Sequence, residues 1–169
     1  MIELHPITSE QVEAANDVMD AVFQELWGLT LEFVRIHFDP FEDMLNPHAY
    51  YFERNGTFLV LTDGERVIGT GGLGRLDGET AELKRIWLLK EYRGHGLGWK
   101  MVEALLEFAR AHGYRWVELM VATPELQPQA TRTYHSLGFC DLPHTKEDED
   151  DTRLFMEITF EPESEAADE

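Results

Sequence analysis

The chain has 169 residues, 43% of them apolar, which suits one folded domain with one sizeable core and excludes a disordered polymer. Thirty-three acidic side chains against 14 basic ones give a net charge of −19, a field that repels nucleic-acid backbones and anionic lipid. No apolar run approaches the roughly 20 residues that cross a bilayer. The opening Met1-Ile2-Glu3-Leu4-His5-Pro6 lacks the basic and apolar regions of a signal peptide, and Cys140 is the single cysteine, so a cytoplasmic, reducing location is the expectation.

Ile2 to Leu4 reads as a short strand. Thr8 and Gln11 make a capping box, and Val12, Ala15, Met19, Val22, Phe23 and Leu26 recur at helical spacing up to Gly28. Over 29–57, Asp39-Pro40 and Asn46-Pro47 each place a capping residue before a proline, which predicts two short helical pieces. The aromatics there, Phe33, Phe38, Phe41, Tyr50, Tyr51 and Phe52, read as core packing. Three β-rich runs follow, Thr57 to Thr62, Arg66 to Gly72 and Thr80 to Leu89, divided by the turn signals Asp63-Gly64 and Asp77-Gly78. They predict an antiparallel meander. A helix is expected from about Leu97 to His112, with Met101, Val102, Leu105, Phe108 and Ala109 on its buried stripe and Gly113 beyond its end. A strand over 114–122, a short helix over 128–137 closed by Gly138, and a strand over 153–160 complete the domain at 1–160. The acidic tail 161–169 is expected to be disordered.

Two glycine-rich stretches resemble phosphate cradles. Gly69-Thr70-Gly71-Gly72-Leu73-Gly74 matches the dinucleotide spacing, but another strand follows it, so no helix N-terminus can face a phosphate. These glycines are assigned to a bulged or closely approached strand. Arg93-Gly94-His95-Gly96-Leu97-Gly98 instead leaves a strand and opens an amphipathic helix. Glycines let backbone N–H groups turn inward as a nest, the helix N-terminus adds partial positive charge, and Arg93 adds a planar cationic fork. Half of the 14 basic residues (Lys84, Arg85, Lys90, Arg93, Lys100, Arg110, Arg115) lie between 82 and 115, against the acids Glu82, Glu91, Glu103 and Glu107. An anion-binding site is expected there.

On these residues the chain resembles the GNAT superfamily of acetyltransferases. Arg93, Gly96 and Gly98 match its signature [QR]-x-x-G-x-[GA], and Ala130, Tyr134, Gly138 and Phe139 match its second signature A-x-x-x-Y-x-x-x-G-F. Glu82 to Leu88 resembles the family's fourth strand. The resemblance implies an α/β fold: a mixed, mostly antiparallel sheet flanked by helices, with strands 4 and 5 splayed to hold CoA. It implies acetyl-CoA as acetyl donor, no metal, and direct attack by an amine in a ternary complex. Ile86, Trp87 and Leu88 would bind the pantetheine through their backbone. Arg93, Gly94, His95, Gly96, Leu97 and Gly98 would take the pyrophosphate. Gln127 stands where many members carry an Asn that contacts the cofactor or caps the helix.

Tyr134 matches the position of the family's general acid, and Glu82 that of a glutamate base. For Glu82 an ordinary strand-end role weighs equally. Cys140 is expected to be a buried, inert thiol, and Glu147 to Asp151 lacks the glycine and spacing of a calcium loop. A small primary amine, cationic because the acid-rich 147–151 connection would attract it, is the expected acceptor, and a homodimer is left open. Protein N-terminal or lysine acetylation, and a non-catalytic acyl-CoA sensor, are the competing readings.

Overall fold

The computed structural model describes residues 1–143 and 152–161. The acid run Glu147 to Asp151 and the last eight residues of the tail lie outside the described residues. Seven strands form one sheet in the order β1-β2-β3-β4-β5-β7-β6. The strands are β1 (Ile2–Pro6), β2 (Thr57–Asp63), β3 (Arg66–Arg75), β4 (Thr80–Leu88), β5 (Trp116–Ala122), β6 (Cys140–Asp141) and β7 (Arg153–Thr159). All neighbours pair antiparallel except β4 and β5, which run parallel. Helix α4 (Leu97–Ala111) makes that crossover and packs on β2, β3 and β4.

Helix α1 (Val12–Trp27) covers the other face, against β3 and β4. It ends where sequence predicts, at Gly28 with φ 66°, a left-handed residue that satisfies carbonyls of the last turn. The Gly69 to Gly74 run lies inside β3, as expected. A Cβ on Gly71 would sit 2.7 Å from Met101 Sδ of α4, so the glycine is what lets the helix approach the sheet. Among the described residues no helix is long and apolar enough to cross a membrane.

The 29–57 segment departs from its sequence reading. Helix α2 (Leu31–His37) was not foreseen, because it shows no apolar stripe: Leu31 is buried while Ile36 is 69% exposed. Its start is set by Thr30 Oγ1, which accepts from Phe33 N, and by Asp20 Oδ1, which accepts from Leu31 N. Asn46 does cap α3 (Pro47–Tyr50), accepting from Ala49 N. Asp39-Pro40 opens no helix; Asp39 Oδ1 accepts from Phe41 N two residues on, and Phe41 turns left-handed with φ 55°. Phe41 and Tyr51 are core residues as expected, whereas Phe33 and Phe38 are exposed. The expected burial of Cys140 is also corrected. Its two-residue strand pairs with β7 on one side only, and the thiol is exposed at the sheet edge.

Candidate active site

β4 and β5 pair only from Thr80–Trp116 to Glu82–Glu118. Beyond that point β4 continues along β3 to Leu88, while β5 continues along β7 to Ala122. The two strands therefore fork, and the fork opens into a cleft of about 710 Å³. Ile86, Trp87 and Leu88 line one wall, and Arg93, Gly94, Gly96, Leu97 and Gly98 the mouth. Gln127, Ala130 and Tyr134, on and just before α5 (Pro128–Leu137), line the other wall, and Val22 and Leu26 of α1 reach over it. Of the residues nominated from sequence, Glu82 sits at the fork outside this lining, and His95 is an exposed loop residue that does not reach it.

The mouth of the cleft is built from backbone. Gly94 and Gly96 have φ of 83° and 79°, left-handed conformations that a Cβ disfavours, although open space surrounds both. Gly96 leads directly into α4, which has no side-chain cap and no acid in its first turn. Its first N–H groups are thus left for an anionic ligand. Arg93 Nε donates to Leu88 O at 2.9 Å, which fixes the side chain to the end of β4, and Nη1 pairs with Glu25 of α1 at 2.8 Å. Glu25 was not foreseen, since it lies 68 residues away in sequence. Arg132 also lines the cleft. Its signal was available, because Gln129, Arg132 and Ser136 form a polar stripe at helical spacing along α5.

The expected basic cluster is corrected: of its seven residues only Arg93 lines the cleft, while Lys84, Arg110 and Arg115 lie against the rings of Tyr50, Phe160 and Trp116. Arg85 does not face the cleft mouth. Its Nε and Nη2 donate to the two oxygens of Asp43 at 3.0 and 2.6 Å, and Nη1 donates to Asp39 at 2.9 Å. The guanidinium lies 3.7 Å from the centre of the Phe41 ring, and Tyr51 OH donates to Asp43 at 2.6 Å. Burial pushes the Asp43 carboxyl upward, but the hydrogen bonds and charge of Arg85, with help from Tyr51, outweigh it and hold the group below its ordinary value.

Gln127 does not cap α5. Its longer side chain reaches back, Nε2 donating to Ala122 O at 2.6 Å, and so ties the helix start to the end of β5. Next to it Thr123 Oγ1 accepts from Trp27 Nε1 at 3.2 Å, joining the end of α1 to the far side of the fork. Tyr134 is 7% exposed, packs edge-on to Phe139 with centroids 5.8 Å apart, and has no hydrogen bond to its hydroxyl among the described residues. Burial pushes its phenol above the ordinary value of 10.0. Glu82 is half-buried, and burial raises its carboxyl despite the opposing charges of Lys84 and Arg85. Its register partner Glu118 is raised by burial and by the hydrogen-bonded Glu157 beside it.

Residues 19–139 match the Acetyltransferase (GNAT) family. The chain belongs to this family. Human N-acetyltransferase 8B is 35% identical over 96 residues, which are 54% of this chain and 41% of that protein, so the match spans less than half the relative's length. An acetyltransferase from Streptococcus agalactiae 2603 superposes with a TM-score of 0.75 at 23% identity, covering 94% of this chain and 98% of that one. PaiA N-acetyltransferase from Thermoplasma acidophilum, solved in complex with coenzyme A, gives a TM-score of 0.74 at 18% identity, with 95% and 99% coverage. Both likenesses run over nearly the whole of each chain and show a shared fold.

Proposed function

We propose that this GNAT-family chain transfers an acetyl group from acetyl-CoA to a small-molecule primary amine, by direct attack in a ternary complex. The observation that carries the proposal is the joining of three features in one cleft: the fork of β4 and β5, the uncapped start of α4 with its two left-handed glycines, and Arg93. The donor set suits acetyl-CoA. Backbone N–H groups and a guanidinium match a pyrophosphate, and a strand edge free of its neighbour after Glu82 matches an amide-bearing pantetheine arm.

When bound, acetyl-CoA supplies the thioester carbonyl that the amine attacks and the sulfur that leaves. Arg93, Gly94, Gly96, Leu97 and Gly98 hold the pyrophosphate end, with Arg132 as a second cation. The backbone of Ile86, Trp87 and Leu88 holds the arm, and the Leu88 N–H serves as donor to the carbonyl oxygen. Tyr134 gives its hydroxyl proton to the departing sulfur. Its raised pKa keeps the phenol protonated at every working pH. Glu82 takes the proton of the amine, acting through water, and its raised pKa brings it nearer to neutral pH as a base. Glu82 and Glu118 at the fork, both acidic, favour a cationic acceptor over a carboxylate-bearing one.

The test is thiol release from acetyl-CoA across a panel of amines and peptides. Turnover on small cationic amines is the expected result. CoA binding without turnover on any amine would make the protein a sensor, and turnover restricted to peptides would make it protein-directed.

A further inference from the structure

β4 changes face in mid-strand. At Lys84 the side chain points to the side of α3, with Nζ 5.2 Å from the centre of the Tyr50 ring. Unbroken alternation would turn Trp87 to the opposite side. Trp87 instead packs edge-on to Phe23 and Trp27 of α1, at 5.2 and 6.0 Å. Ile86 and Leu88 take the α4 side, where a Cβ on Gly71 would meet both Ile86 and Met101. The ladder gives the cause. Gly72 pairs with Lys84 but Thr70 pairs with Trp87, so β4 spends one residue more than β3 over this stretch. The extra residue is Arg85, at φ 60°, a conformation disfavoured for any residue with a Cβ.

Arg85 is held at both ends. Its carbonyl accepts from Thr70 Oγ1 at 2.7 Å, and its guanidinium is forked between Asp39 and Asp43 over the Phe41 ring. Thr70 is wholly buried and lines the cleft. Strained backbone persists where its surroundings over-determine it. We infer that Arg85 is a positioning residue, locked by Thr70 and Asp43, that sets the frame in which Ile86, Trp87 and Leu88 meet the acetyl donor. The inference rests on the reading of the cleft as the acetyl-CoA site. In an unbulged β4, Trp87 would face α4, Ile86 and Leu88 would face α1, and the wall of the cleft would be a different surface. Because Asp39 and Asp43 belong to the segment between α2 and α3, the same ion pairs tie that segment to the cofactor strand.

Thr70→Val removes the hydroxyl and keeps the shape, whereas Thr70→Ser keeps the hydroxyl. CoA binding by calorimetry, and acetyl-CoA KM and kcat, are measured well below each variant's unfolding temperature. Thr70→Val is expected to weaken CoA about tenfold, the effect of one buried carbonyl left without its donor, and to raise KM more than it lowers kcat. Thr70→Ser is expected to bind close to wild type, and Arg85→Lys, which cannot fork between two carboxylates, to follow Thr70→Val. Proton NOEs between the Trp87 and Phe23 rings should weaken in Thr70→Val. The inference is overturned if Thr70→Val and Arg85→Lys bind CoA like wild type and only unfold earlier, or if Thr70→Ser is as impaired as Thr70→Val. A wild-type protein that binds no CoA would sink the cofactor reading instead, and the Trp87–Phe23 NOEs would still decide the frame.

Discussion

The two sides of the fork are built on different principles. The 93–98 loop and the start of α4 present backbone, and they need only glycines in left-handed conformations and one arginine. The 39–51 segment on the α1 side works through side chains: Asp39 and Asp43 hold an arginine 46 and 42 residues distant, and Tyr51 donates to Asp43. A backbone cradle is specified locally, so it leaves a short pattern in the chain. A side-chain network is specified by contacts that only folding creates, and each of its residues looks ordinary in sequence.

The largest expected effect tests the network. Asp43→Ala leaves Arg85 facing Asp39 alone in a buried site and should destabilise the fold by about 3–5 kcal/mol, read by chemical denaturation at pH 7. A loss below about 1 kcal/mol would mean that Arg85 finds water and that the two sides are less different than drawn. The acid limb has a definite sign. Asp39 and Asp43 are held below their ordinary value of 3.8, so their contribution is complete above that pH and is lost as pH falls through the depressed folded values. Asp43→Asn should flatten that limb.

Next come the two residues proposed for proton transfer. Tyr134→Phe keeps the ring and should lower kcat by about 10²-fold with little change in acetyl-CoA KM. Glu82→Gln should lower kcat by a similar factor, about 10²-fold. Because burial holds the Glu82 carboxyl above 4.5, the wild-type rate should rise with pH through a limb displaced upward from that value, and the variant should lose it. A full rate in Tyr134→Phe returns that residue to packing against Phe139, and a retained limb in Glu82→Gln assigns the base elsewhere.

Smaller effects are expected at the backbone cradle. Arg93→Ala and Gly96→Val should each weaken CoA by about tenfold to a hundredfold, the first by loss of charge and the second by strain at a left-handed position. Unchanged affinity in both would remove the basis of the cofactor assignment. Glu25→Gln should act in the opposite direction. It frees Arg93 from a half-exposed ion pair and should tighten CoA by up to about fivefold, an advantage that shrinks as salt screens the original pair.

The amino-acid sequence by itself determined the strands of the meander, α1, α4 and α5, and the glycine-rich loop that opens α4. Helical and strand periodicities, turn dipeptides and left-handed glycines are local properties, and each leaves its mark within a few residues. It also nominated Tyr134 and Glu82, through motif positions. The tertiary structure alone decided the rest. Asp20 of α1 holds Leu31 N at the start of a helix that has no apolar stripe, and Asp39 serves an ion pair where its Pro40 neighbour suggested a helix start. Gln127 reaches back to Ala122 where a shorter Asn could have capped. Arg85 takes φ 60° with no glycine to announce it. In each case the deciding partner lies on another element, so the energy that fixes the residue exists only once the sheet and its helices have come together.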